Sequence, residues 1–146
     1  KTMYFILAPL LLVFAWNLTS DALFLEEVGF RGFERGQGLV EFINLHSSRE
    51  TMLFGDDSAV PLLALLANKK IALDFADTNN QVFISGVRDL SLVLDGLKGK
   101  NVLFVIRSAQ GISYFGEVKQ YLNRNCDLLG RFYDKIEGSY LVYECR

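Results

Sequence analysis

Asn101-Val102-Leu103-Phe104-Val105-Ile106-Arg107 is the stretch on which the fold turns. Its five consecutive apolar residues are β-branched, aromatic or aliphatic, which reads as a strand. A continuous run, rather than an alternating one, suits a central strand covered on both faces. Two more runs of strand length lie upstream. Thr51-Met52-Leu53-Phe54-Gly55 ends in Asp56-Asp57-Ser58, and Ile71-Ala72-Leu73-Asp74-Phe75 ends in the loop Ala76-Asp77-Thr78-Asn79-Asn80.

Helical periodicity fills the gaps. Leu39, Phe42, Ile43 and His46 share one face of a helix over residues 37–47. Asp56-Asp57-Ser58 supplies N-cap residue types, with Pro61 in the first turn of an apolar helix that stops at Asn68-Lys69-Lys70. Val87, Leu90, Val93, Leu94 and Leu97 define another helical face, ended by Gly99, and Tyr114, Phe115, Val118, Tyr121 and Leu122 a further one. Strands alternating with helices imply right-handed crossovers and parallel pairing. The expected fold is therefore α/β, a three-layer sandwich with a mostly parallel sheet. Residues 128–136 and 139–144 add a C-terminal antiparallel hairpin, turning at Glu137-Gly138, as an edge. A turn there faces Cys145 with a residue near Gly130. Cys126 then lies beyond the roughly 7 Å Cα separation that a disulfide tolerates, so two separate buried thiols are expected.

The front of the chain has a different character. Of 146 residues, 51% are apolar, and the mean hydropathy is +0.22. The excess is concentrated between Thr2 and Ser20, which carry no charge, with Tyr4 to Trp16 apolar throughout. A hydrocarbon core needs about 20 such residues. A signal peptide fits less well, because Trp16-Asn17-Leu18 is a poor small-residue cleavage site. A buried core helix would usually keep a polar stripe. Residues 1–20 are therefore expected to end a transmembrane helix of a longer protein, with residues 2–18 in the lipid bilayer and Trp16 at its interface. Residues 21–146 then form an extracytoplasmic α/β domain at the cell membrane. Isolated from its neighbours, the apolar helix would also offer a surface for dimerisation. Asn17-Leu18-Thr19 matches a glycosylation sequon but lies too close to the membrane for use to be expected.

Without residues 1–18, which carry only Lys1, 14 basic side chains face 17 acidic ones, a net charge of −3. That excludes the basic face of a nucleic-acid module. His46 is the only histidine, which excludes a multi-histidine metal centre, and nothing in the sequence places a nucleophile beside it for a serine–histidine–acid triad. It is expected to pack or cap near the end of its helix. The glycines Gly29, Gly32, Gly36 and Gly38 have neither dinucleotide-binding nor P-loop spacing. No cofactor or metal is called for. One cluster remains as a ligand-binding rim: Asp56 and Asp57 after the first strand, Asp74 and Asp77 at the second, and Arg107 ending the third. Open α/β sheets bind ligands at those carboxyl ends. Carboxylates there would bond sugar hydroxyls or a divalent cation, or else simply cap a helix and make turns.

The order of elements carries a resemblance. An uncharged membrane helix precedes Gly38-Leu39-Val40-Glu41-Phe42-Ile43. A strand ending in Gly55-Asp56, a leucine-rich helix closing on Asn68-Lys69-Lys70, and a strand ending in Asp come next. Then come the strand from Val102 to Arg107 and an aromatic hairpin. This layout resembles the extracytoplasmic C-terminal domain of polytopic GT-C glycosyltransferases, similar to dolichyl-phosphate-mannose protein mannosyltransferases and their prokaryotic relatives. The resemblance implies a non-catalytic accessory domain of an enzyme that uses a polyprenyl-phosphate sugar. It would position the acceptor or line the active-site entrance, with a lipid-linked sugar or glycan as partner. The family's catalytic aspartates lie near the protein's N-terminus, so none is carried onto this chain. The alternative is a membrane-anchored ligand-binding or protein-interaction domain with no enzymatic role.

Overall fold

Which faces of each apolar run are covered decides how the sheet is built. The computed structural model describes residues 13–20, 31–108, 110–134 and 138–146. Five strands, Met52–Gly55 (β1), Lys70–Ile71 (β2), Val102–Arg107 (β3), Cys126–Asp134 (β4) and Gly138–Cys145 (β5), stand in the order β2-β1-β3-β5-β4. β1 runs parallel to β2 and β3, whereas β5 runs antiparallel to β3 and β4. The fold is thus mixed α/β. The sheet is mixed as well, not mostly parallel, because the C-terminal hairpin contributes two strands and docks one directly on β3.

β3 is buried over its first five residues, as a strand covered on both faces should be. Alternation sends Val102, Phe104 and Ile106 to one face, with Phe54, against Leu90, Leu94, Leu97, Val118 and Leu122. Leu103 and Val105 turn to the other face, with Leu53, against Leu39, Ile43, Val60 and Leu63. Each such side chain contributes about 1.5–3 kcal/mol by leaving water. The part of α2 (Arg31–Leu45) from Leu39 to Ile43, together with α3 (Val60–Leu66), covers the second face. The first is covered by α4 (Asn80–Ile84), α5 (Leu90–Leu97) and α6 (Gly116–Asn125).

The chain divides into two compact units, Lys1–Gln37 and Gly38–Arg146. In the first, residues 13–20 are helical (α1), and Val13, Phe14, Trp16 and Leu18 are exposed. The front of the expected membrane segment, residues 2–12, lies outside the described residues. Among the described residues, no helix is long and apolar enough to cross a membrane.

Four local expectations change. The second strand stops at Ile71 and becomes a 3₁₀ turn, Ala72–Asp74, because Leu73 (φ 59°) and Asp74 (φ 51°) adopt left-handed backbone that no strand can continue. The helix read from Val87 onward starts at Leu90, capped by Asp89, and Val87 is exposed. Tyr114 belongs to a separate 3₁₀ turn, Gly111–Tyr114, and is exposed rather than inward. In the hairpin, Asp134 pairs with Gly138, so Gly138 begins a strand instead of making the turn with Glu137. That shift brings Cys126 opposite Cys145. Their Cα atoms are 4.1 Å apart and the sulfurs are bonded, which corrects the expectation of separate thiols. Some of the register change comes from an irregularity between Leu128 and Gly130. A Cβ on Gly130 would lie 2.9 Å from Phe42 Cζ, so glycine lets α2 sit close there.

Candidate functional site

The carboxyl ends of β1 and β3 lie side by side, and Gly55 makes their close approach possible. Its φ is +137°, and a Cβ there would fall 1.8 Å from the Val105 carbonyl oxygen. Only glycine fits. Asp56 follows, its N–H donating to Val105 O at 2.8 Å. Its carbonyl accepts from Ala59 N (3.3 Å) and Val60 N (2.9 Å), which starts α3. The side chain thus emerges between the two strands, wholly buried.

There Asp56 Oδ2 accepts from Arg107 Nε at 2.9 Å, with the Asp56 side chain 0% and the Arg107 side chain 19% exposed. Oδ1 accepts from Ser58 N at 3.1 Å and from the Ser58 hydroxyl at 2.5 Å. Both carboxylate oxygens are engaged within the protein, as a buried charge requires. Gly111 (φ +58°) approaches so closely that a Cβ would lie 3.0 Å from Asp56 Oδ2. The buried Thr78 hydroxyl donates to the Gly55 carbonyl. Asn79 Nδ2 donates to Asp57 Oδ2 at 3.3 Å, and Asn79 Oδ1 accepts from Gln81 N at 2.9 Å, capping α4. Asp77 Oδ1 accepts from Asn79 N at 3.2 Å, closing a turn.

This rim also has the right topology for a binding site. The connection from β1 to β2 runs through α3 on one face, and that from β2 to β3 through α4 and α5 on the other. Open α/β sheets bind ligands where successive connections diverge in this way.

Of the five rim residues read from the sequence, Asp56 and Arg107 are in direct contact, and Asn79 joins Asp57 to Asp77. Asp74 is elsewhere. It lines an open cleft of about 430 Å³ with Leu73, Phe75, Arg88, Asp89 and Leu92, because the early end of β2 turns it away. Among the described residues, no group of three or more His, Cys, Asp or Glu is arranged to hold a metal ion. His46 is exposed. Its Nδ1–H donates to Phe42 O at 2.9 Å and its ring stacks on Phe42 at 3.9 Å, next to the last turn of α2.

Ser58, Thr78, Asn79 and Gly111 were not singled out from the sequence. Ser58 and Asn79 carried a signal as cap and turn residues, whereas Thr78 and Gly111 act through contacts 23 and 55 positions away, to Gly55 and Asp56. Comparison with known proteins yields no match: no family model fits the chain, and neither a curated protein nor a solved structure is significantly similar to it.

Proposed function

We propose that this chain is the extracytoplasmic C-terminal domain of a polytopic GT-C membrane glycosyltransferase, one that uses a polyprenyl-phosphate sugar donor. Residues 2–18 end the last transmembrane helix. The α/β domain after them, a three-layer sandwich, is non-catalytic and positions the acceptor or lines the active-site entrance. The observation that carries the proposal is the Cys126–Cys145 disulfide, since disulfides persist in oxidising compartments outside the cytoplasm. The exposed apolar side chains of Val13, Phe14, Trp16 and Leu18 are in keeping with a lipid environment. The complete internal engagement of Asp56 and Ser58 favours a structural rather than a catalytic rim.

Topology mapping tests the location. In intact cells, a membrane-impermeant reductant followed by an impermeant alkylating reagent should label both Cys126 and Cys145. Labelling only with permeant reagents, or without reductant, overturns the extracytoplasmic assignment. The glycosyltransferase assignment requires a multi-helix region encoded upstream of Lys1, and a gene without one overturns it.

The cleft beside Asp74 favours a second reading, a membrane-anchored ligand-binding domain with no enzymatic role. The same gene reading separates the two, since this alternative needs a single anchoring helix.

A further inference from the structure

We propose that the cleft between the 3₁₀ turn after β2 and the start of α5 is a binding site for a saccharide ring. Two segments well separated in sequence build it. Leu73, Asp74 and Phe75 form one lip, and Arg88, Asp89 and Leu92 the other, around about 430 Å³. Small-ligand sites occupy roughly 300–1,000 Å³ and combine apolar walls with a few convergent polar groups, and this cleft has both.

Two of its three charged groups are not used by the fold, and the third is used on one oxygen only. Asp74 is exposed and makes no hydrogen bond or ion pair among the described residues. Arg88 makes no ion pair among them; its guanidinium lies 5.7 Å from the centroid of the Phe75 ring, which fixes it across the cleft by a cation–π contact. Asp89 Oδ1 caps α5 by accepting from the Ser91 hydroxyl (2.7 Å) and from Ser91 N (2.8 Å). That cap fixes the carboxylate at the mouth of the cleft.

Three further observations shape the walls. Leu73, in left-handed backbone, costs about 1–3 kcal/mol, a kind of strain that clusters at ligand sites. Leu73 is seated on α5, where a Cβ on Gly96 would already lie 3.3 Å from Leu73 Cδ1. Leu92 (69% exposed) and Val87 (73% exposed) present aliphatic surface to water.

This composition selects the ligand. Two carboxylates against one guanidinium repel phosphates and carboxylates. Among the described residues no third ligand completes a metal site. A lysine side chain would meet Arg88. What remains is a neutral group that donates to Asp74 and Asp89, accepts from Arg88, and lays C–H surface on Leu73 and Leu92. A sugar ring has hydroxyls around its rim and an apolar face. The assignment uses only residues of this domain and stands whether or not an upstream catalytic region exists.

The test is a titration of the ¹⁵N-labelled full chain in phosphatidylcholine nanodiscs, free of glycoside detergents, with mannose, glucose and N-acetylglucosamine in turn. At least one sugar should shift the amides of residues 73–75 and 87–93 saturably. Asp74→Asn keeps a residue type that tolerates left-handed backbone, and it should weaken that binding about tenfold, the worth of one hydrogen bond to a charged group. Leu92→Lys should abolish it, with the melting temperature of both variants unchanged. No saturable shift, shifts confined to other residues, or an unaltered affinity in Asp74→Asn overturns the proposal. So does a lysine-rich peptide that saturates the same amides more tightly than any sugar, since the occupant is then a basic peptide.

Discussion

Asp56 and Asp74 end successive apolar runs, yet the structure treats them in opposite ways. Asp56 is sealed between β1 and β3, with Arg107 and Ser58 on its two oxygens. Asp74 sits in left-handed backbone, exposed, on the lip of a cleft. The difference follows from pairing. β1 has partners on both sides, so its end is drawn into the sheet and any charge there must be neutralised locally. β2 is a two-residue edge strand, so the chain is released early and its carboxylate remains in water. A rim at a switch point can thus be used up by the fold itself, while a less regular place keeps its polar groups available.

That contrast can be broken or sharpened by substitution. The largest effect is expected from Gly55→Ala, whose Cβ would collide with the Val105 carbonyl. No cooperative unfolding transition should be seen by circular dichroism, and a normal one would show that the β1–β3 approach is looser than described. Asp56→Ala should cost about 3–5 kcal/mol in urea denaturation, because it removes the buried carboxylate from its ion pair with Arg107. The double change Asp56→Leu with Arg107→Met should recover much of that loss. If it does not, Ser58 rather than the ion pair is the main partner.

On the cleft side the effects are smaller. The Ser91 hydroxyl, then the backbone N–H groups of Ser91 and Leu92, hold the Asp89 carboxyl below its ordinary range. A carboxylate whose pKa is lowered on folding stabilises the fold above its unfolded value, and that contribution fades as pH falls through the folded value. Asp89→Ala should therefore lower the melting temperature at neutral pH, with the gap to the parent protein closing below the usual carboxylate range. A gap constant down to strong acid would mean that the cap does not depend on charge. Asp74→Asn should change stability by no more than about 0.5 kcal/mol, as expected for an exposed side chain without partners. A larger loss would show that Asp74, like Asp56, serves the fold.

The central strands were legible because continuous apolar runs leave little choice. Leu53, Phe54 and Val102 through Ile106 could only be buried on both faces, and they are. Burial of Asp56 against Arg107 was half legible, since neighbouring strand ends share a rim. β2 was not, because nothing in Ile71-Ala72-Leu73-Asp74-Phe75 signals a left-handed reversal at a leucine. The cleft was illegible for a related reason: its lips come from residues 73–75 and 87–93, and no local pattern joins them. Asp89 just ahead of an apolar periodicity was the one available clue, as a cap. In the hairpin, Glu137-Gly138 reads as a turn by residue type, but Gly138 already belongs to β5 and pairs with Asp134. A small displacement of the expected turn was enough to separate Cys126 from Cys145, which are in fact bonded.

The place of β5 has a consequence for how the chain is made. β3, the most apolar strand, borders β5 on one side, and Val102 pairs with Cys145. During vectorial synthesis, β1, β2 and β3 emerge with that flank of β3 bare, and it stays bare until residues 138–145 leave the ribosome. Long-range pairings of this kind form slowly and leave sticky edges in the interval. Oxidation of Cys126 with Cys145 ties the hairpin at its open end, so β5 covers the flank and the disulfide latches the cover.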